Sequence, residues 1–273
     1  MAEKPAEGAS VRARRVRLAI GAMNPATHQA IDSAVRLAAD GEGRIDCLFV
    51  EDVELFRAAS LPLTREFGVA TSAGRRFELQ YLAVALRQQA ARARQAVERA
   101  AHAAHLGVSF EVTRGSLLEE ALRHAGADDL LVVAAAGLDL DEPASVRRAA
   151  VARTSTLLAL VESLPADSAP LRAALRAVPG ASLAIWAAGA AARSAASVDA
   201  MCLLLEHELG RPLNRVPGGT APDVASIVAA LSQSRARLLA LPRETLAALA
   251  GELGWCLRRR SAVLVATPRG AAR

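Results

Sequence analysis

The chain has 273 residues, of which 52% are hydrophobic and only 3% are aromatic. That length suits one large domain or two modest ones, and the composition favours an aliphatic, alanine-rich core. The formal net charge is +5, and because Lys4 is the only lysine, nearly all the cationic side chains are arginines. A Walker A phosphate loop and Schiff-base chemistry both require a suitably placed lysine, so both are excluded.

No segment predicts a membrane span or a secretory signal. The most apolar run, residues 181–192, is shorter than the roughly 18 residues that a spanning helix needs. Residues 1–15 are charged and are not followed by the apolar stretch of a signal peptide, so we expect a disordered N-terminal arm. We therefore predict a cytoplasmic protein with no membrane partner.

The remaining composition signals argue against metal, redox and nucleic-acid sites. Cys47, Cys202 and Cys256 are far apart in the sequence, which predicts reduced core cysteines. The arginine clusters at 12–17 and 258–260 have no interleaved aromatic residues, so nucleic acid is not an expected partner.

Residues 16–163 alternate between strand-like and helix-like patterns. Asn24 and Pro25 predict the start of the first helix. The predicted strands are 16–21, 44–52, 108–115, 129–135 and 156–162, and the predicted helices are 24–40, 75–105, 116–126 and 143–154. Residues 53–68 predict an irregular or short helical insertion. Continuous apolar strands alternating with helices predict an open, parallel, doubly wound α/β sheet of the flavodoxin-like class.

The second half repeats this plan in a shorter form. A polar linker is predicted at residues 164–180, followed by a second lobe at 181–273. Its predicted strands are 182–188, 211–218, 237–242 and 262–267, and its predicted helices are 191–209, 221–234 and 244–259. Because nothing in it corresponds to residues 44–106, we predict two tandem lobes, the second truncated.

The order of these elements resembles the universal stress protein family. The stretches that carry the resemblance are 16-VRLAIG-21, 46-DCLFVED-52, 111-EVTRGSLLEEAL-122 and 128-DDLLVVAAAG-137. The resemblance covers about residues 16–163 and extends to 181–273 as a degenerate second domain. It implies a crevice at the carboxyl ends of the first and fourth strands, where nucleotide-binding members hold ATP.

The family's nucleotide motif is only partly retained. The aspartate that ends the first strand falls on Ala22, and the first loop glycine falls on Ala134. Gly137 matches the second glycine, and a shortened loop would bring Ser145 to the position of the final hydroxyl. The backbone of Val50 remains able to contact an adenine edge, because such a contact does not depend on the side chain.

The loop that would face the phosphates also carries acids. Asp139, Asp141 and Glu142 would each repel a triphosphate by roughly 2–3 kcal/mol before screening. Arg147 stands where the family has a further glycine. Arg147, its neighbour Arg148 and Arg114 could offset part of this repulsion. No cofactor is therefore expected, with ATP as the alternative.

Two functions follow from the sequence. The first is a cytoplasmic stress-response or regulatory protein that is not an enzyme and that acts through protein partners or self-association, as a homodimer or as a pseudo-dimer within one chain. In the pseudo-dimer, residues 156–162 would pair with residues 262–267. The alternative is a protein that binds an adenine nucleotide in the first lobe through the Val50 backbone, Gly137 and Ser145.

Overall fold

The structure is a computed structural model. It describes residues 15–41, 43–62, 64–67, 74–76, 78–126, 128–134, 156–162, 171–172, 174–175, 178, 181–192, 194–210, 212–219, 222–236, 238–258 and 263–267. Within them, eleven strands and eight named helices follow one another along the chain.

The first half contains six of these strands and four of the helices. In order they are β1 (Val16–Ile20), α1 (Pro25–Ala39), β2 (Arg44–Asp52), α2 (Val53–Ser60), β3 (Arg65–Phe67), β4 (Gly74–Arg76), α3 (Leu79–Ala103), β5 (Gly107–Gly115), α4 (Leu117–His124) and β6 (Leu130–Ala134). The predicted helices and strands up to residue 135 are thereby confirmed within a few residues. The insertion predicted at 53–68 forms α2 and the first strand of a short β3–β4 hairpin.

The second half contains the other five strands. In order the elements are β7 (Thr156–Val161), β8 (Ser182–Ala188), α5 (Gly189–Ala192), α6 (Ala195–Leu209), β9 (Asn214–Gly219), α7 (Val224–Ser234), β10 (Leu238–Pro242), α8 (Arg243–Arg258) and β11 (Val263–Thr267). The helix predicted at 143–154 and most of the predicted linker lie outside the described residues.

Nine strands form one continuous sheet in the order β5-β2-β1-β6-β11-β10-β7-β8-β9. All neighbouring strands are parallel except β6 and β11, which run antiparallel. If the strands of this sheet are numbered separately within each half, the first half (β5-β2-β1-β6) has the order 3-2-1-4. The second half (β9-β8-β7-β10-β11) has the order 3-2-1-4-5. The predicted open, doubly wound α/β fold with two tandem lobes is confirmed.

The predicted role of residues 156–162 is wrong. They form β7, which pairs with β8 and β10 and so acts as the first strand of the second half. The second half is therefore a five-stranded unit and not a truncated one, whereas the described part of the first half contributes four strands. The strand pairing favours a boundary before Thr156 rather than at residues 163–164, although the limits of the domains stay a prediction.

The predicted pairing of residues 156–162 with 262–267 is also wrong. β11 lies between β10 and β6, with Val265 opposite Ala240 on one side and Val132 on the other. A single strand thus completes the second half and covers the edge of the first half. The two halves therefore share one sheet within one chain, joined by the pairing of β11 with β6 and not by the expected pairing of residues 156–162 with 262–267.

Both faces of the sheet are covered by aliphatic cores that run through the two halves. One core contains buried residues of α1, α3 and α6, and the other contains buried residues of α4, α7 and α8. Trp186 of β8 is the largest fully buried side chain. In α3, Leu82, Leu86, Ala93 and Val97 are buried at helical spacing, as an amphipathic surface helix requires.

A charge cluster lies at the amino end of the first half's sheet, centred on Asp46. Ser109 Oγ donates a hydrogen bond to Asp46 Oδ1 at 2.6 Å, and Arg44 Nε donates to the same oxygen at 3.0 Å. Arg17 lies between Asp46 and Asp129, at 3.7 and 3.6 Å. Burial opposes ionisation of Asp46, but these hydrogen bonds and the two arginine charges together lower its pKa.

We expect Asp46→Asn to lower the free energy of unfolding by about 2 kcal/mol at neutral pH. Because the folded pKa of Asp46 is lowered, its stabilising effect is present above the unfolded pKa and is lost as pH falls through the folded pKa. The difference between the two proteins should therefore shrink below about pH 4. Urea unfolding across a pH series measures this difference.

Asp199→Asn is the matched control, because Asp199 pairs with Arg215 where both side chains are about half exposed. That exposed pair should contribute less than about 1 kcal/mol. A loss at Asp46 that did not change with pH would contradict an ionic origin.

Candidate functional site

The strand order places one candidate crevice in each half. In open parallel sheets, ligands bind beyond the carboxyl ends of the strands where the strand order reverses, which here is between β1 and β6 and between β7 and β10. Because β6 and β11 are antiparallel, the carboxyl ends of the two halves point to opposite edges of the sheet. The two crevices are therefore separate and do not combine into one site.

The loop from β1 to α1 forms one wall of the first crevice, and its polar groups are largely bonded to one another. Asn24 Oδ1 accepts from the Thr27 backbone N–H at 2.9 Å and so caps α1, as predicted. The fully buried Thr27 hydroxyl donates to the carbonyl of Ala22. Ala22 thus has neither the carboxylate of the family motif nor a free carbonyl.

The same loop is tied to α3 and packed against β2. The Met23 backbone N–H donates to Gln89 Oε1 at 3.0 Å. A Cβ added at Gly21 would lie 3.6 Å from the Val50 carbonyl oxygen, so the two backbones are in close contact. Val50 itself is fully buried. The structure therefore places Ala22 and Val50 beside the same crevice, with hydrogen bonds inside the protein around Ala22. Their roles in a nucleotide site stay predictions.

Charged and aromatic side chains at the ends of β2 and β5 also bind one another. Arg114 Nη2 lies 3.0 Å from Glu51 Oε2, and its guanidinium lies 3.7 Å from the centroid of the Phe56 ring. Arg114, which could have faced a phosphate, is instead held by a carboxylate and an aromatic ring of the same half. The Gln89 and Phe56 contacts were not predicted, because both residues come from helices whose packing no local pattern reveals.

The segment after β6, which would face the phosphates of a nucleotide, lies outside the described residues. β6 ends at Ala134, which is buried and stands where the family has its first glycine. Gly137 and Ser145 lie outside the described residues, as do the loop acids and Arg147. Their predicted roles stay predictions.

The second crevice contains a polar pair that the sequence analysis missed. Glu162 directly follows β7, and its carboxylate accepts a hydrogen bond from the hydroxyl of Thr245, in the first turn of α8. Thr245 is buried. Glu162 follows the first strand of the second half, as the aspartate of the family motif follows strand one. This pair was not predicted from the sequence, because residues 156–162 were placed in the first half.

The described residues offer little reactive chemistry. Burial raises the pKa of the Cys47 thiol, and burial is also the main cause of the raised pKa of Cys202. No cluster of three or more metal-ligating side chains occurs among the described residues. No helix in the described part of the chain is long and apolar enough to cross a membrane.

Comparisons with known proteins give likenesses of fold. No family model matches the chain, and no curated protein matches it significantly. A universal stress protein from Archaeoglobus fulgidus DSM 4304 has a TM-score of 0.49 at 11% identity, over 96% of this chain and 99% of that chain. A putative universal stress protein from Pseudomonas aeruginosa UCBPP-PA14 has a TM-score of 0.42 at 11% identity, over 95% of each chain.

A functionally unknown protein from Pseudomonas aeruginosa PAO1 has a TM-score of 0.40 at 11% identity, over 96% of this chain and 94% of that chain. All three TM-scores are below 0.5, so the fold class rests on the strand pairing.

Proposed function

We propose that this chain is a universal-stress-protein-like regulatory protein of the cytoplasm, which acts by binding a protein partner or a second copy and binds nucleotide weakly or not at all. We also propose that it is not an enzyme and that it works without a cofactor.

The observation that carries the proposal is the bonded state of the first crevice. The Ala22 carbonyl and the Met23 N–H are already paired with Thr27 and Gln89. A nucleotide that needed the Met23 N–H would first have to break its hydrogen bond to Gln89, and one that needed the Ala22 carbonyl would have to share it with Thr27. Replacing a bond within the protein by a bond to the ligand yields little net free energy, because each is worth only about 1 kcal/mol net.

A second observation favours the alternative, in which an adenine nucleotide binds in this crevice. Asn24 Nδ2 is buried and makes no hydrogen bond to any described residue. It lies in the loop at the amino end of α1, where backbone N–H groups and the helix dipole favour an anion. A ligand oxygen would satisfy this donor, with the Val50 backbone, Gly137 and Ser145 completing the predicted site.

The test is whether the purified full-length chain carries or takes up nucleotide. We expect no ATP or ADP in the supernatant after heat denaturation, and no saturable heat in calorimetry with ATP and Mg²⁺ at millimolar concentration. Nucleotide released at near one per chain would overturn the proposal. If nucleotide binds and Asn24→Ala weakens it about tenfold, as expected for the loss of a hydrogen bond to a charged ligand, the alternative is correct.

A further inference from the structure

Among the described residues, no strand pairs with the outer edge of β5. β5 and β9 are the two end strands of the nine-stranded sheet. β9 has six residues and contains Pro217, which lacks a backbone N–H and so protects an edge. β5 has nine residues and no proline, and it pairs only with β2 among the described strands. Such an edge can accept a further strand.

The direction of the free backbone groups of β5 follows from its pairing. The Gly107 N–H donates to the Gly43 carbonyl, on the β2 side, at 2.8 Å. Successive residues of a strand direct their N–H and C=O groups to opposite sides. The odd-numbered residues of β5 therefore bond to β2, and the even-numbered residues, including Phe110, Val112 and Arg114, direct their N–H and C=O groups outward.

The side chains of these outward-bonding residues form a mixed apolar and cationic strip on the α3 side of the sheet. Val112 is 45% exposed. Its two neighbours on this strip, Phe110 and Arg114, each contact a side chain of a helix. Arg94 of α3 lies 4.9 Å from the centroid of the Phe110 ring, and Arg114 stacks on Phe56. The strip therefore has an arginine–aromatic contact at each end, Arg94 with Phe110 and Arg114 with Phe56, and the exposed Val112 between them.

We infer that β5 is a homodimer interface, at which two copies of the chain pair antiparallel about a two-fold axis through Val112. This inference rests on the proposed function in that it assigns the surface used for self-association. In this register the Val112 residues of the two copies exchange both backbone hydrogen bonds. Phe110 lies opposite Arg114 of the second copy, and the reverse pair repeats the contact, so the edge is complementary to itself.

The opposite face of β5 supports the same register. About Val112, Glu111 lies opposite the uncharged Thr113 of the second copy, so no like charges face each other on this face. A register about Glu111 would instead place two carboxylates directly opposite each other, which is destabilising. A register about Thr113 would place Phe110 beyond the end of the second β5 and Glu111 opposite Gly115, which has no side chain to pair with. Of these three registers, only the one about Val112 avoids both facing carboxylates and the loss of the Phe110 contact.

The first test is the mass of the full-length chain in solution, by light scattering and native mass spectrometry at micromolar concentration. We expect twice the mass of one chain. Val112→Pro should weaken dimerisation at least about tenfold, since each copy loses an interchain hydrogen bond. Its circular dichroism should stay unchanged, because the Val112 N–H is not used within the sheet. Val112→Lys places two like charges on the axis and should have the same effect without altering the backbone.

Leu203→Lys is the matched control, because Leu203 is 64% exposed on α6, which contacts β9 at the opposite end of the sheet through Asp199 and Arg215. It should leave the dimer intact. A wild-type chain that stays monomeric would overturn the inference. A dimer that survives both Val112 substitutions would overturn it as well, because the contact would then lie elsewhere.

A second test addresses the register. Val112→Cys should form an interchain disulfide under mild oxidation, because residues facing each other in a hydrogen-bonded antiparallel pair have Cα atoms about 5.5 Å apart. Phe110→Cys should not cross-link to itself. If Val112→Cys failed to cross-link in a dimeric protein, the proposed pairing would be wrong. Nucleotide release separates the two proposals, since bound nucleotide would refute the proposed function with the dimer intact.

Discussion

Val265→Pro is expected to lower the free energy of unfolding by at least about 3 kcal/mol, the largest effect of any substitution considered. Val265 is the central residue of β11, with Val132 of β6 on one side and Ala240 of β10 on the other. Proline removes the backbone N–H and introduces a ring in a strand that is paired on both sides. Because β11 is the strand that joins the two half-sheets, the loss should weaken both halves.

Urea unfolding followed by circular dichroism measures this effect. Val112→Pro is the matched control, because it places the same residue at the free edge of the same sheet, where the replaced N–H points outward. Measured on the monomer, it should cost a small fraction of the loss at Val265. Equal losses at the two positions would show that β11 is not an interior strand.

Arg243→Ala is expected to lower the free energy of unfolding by about 2–3 kcal/mol, because hydrogen bonds from a charged donor are worth more than neutral ones. Arg243 begins α8, and its guanidinium donates to the carbonyls of Gly126, Ala125 and Leu122 at the carboxyl end of α4. These carbonyls lie in the last turn of α4 or just beyond it, where helix carbonyls lack intrahelical partners and the negative end of the helix dipole is located. One side chain of the second half thus caps a helix of the first half.

Two variants check this interpretation. Arg243→Lys keeps the charge, but its single ammonium cannot reach three carbonyls in a fork, so about half of the loss should remain. Arg92→Ala removes an exposed arginine of α3 and should change stability by less than about 0.5 kcal/mol. If Arg243→Ala behaved like Arg92→Ala, the contact between the halves would not contribute to stability.

Only part of the candidate site could be predicted from the sequence. The place of Ala22 and Val50 beside the first crevice follows from the parallel strand order, which the alternation of apolar strands and helices indicates. The Gln89 contact with Met23 and the stacking of Arg114 on Phe56 join residues that are 66 and 58 positions apart in the chain (89 − 23 and 114 − 56). No local pattern encodes contacts of that kind.

Sequence patterns alone were sufficient for the local structure of this chain. Helical spacing of apolar residues, the Asn24 cap and the continuous apolar runs located most helices and strands, because these signals depend on backbone geometry over a few residues. They also identified the doubly wound class, since parallel strands must be buried on both faces.

Which strands pair with one another was decided only by the tertiary structure. β7 and β11 are both short apolar strands, and by pattern either could have completed the first half. Their assignment depends on which edge each one covers: β7 lies inside the second half, and β11 closes the gap between the halves in the antiparallel direction. Strand pairing joins residues distant in sequence, and the hydrogen bonds that decide it are formed by backbone groups that every residue except proline carries alike.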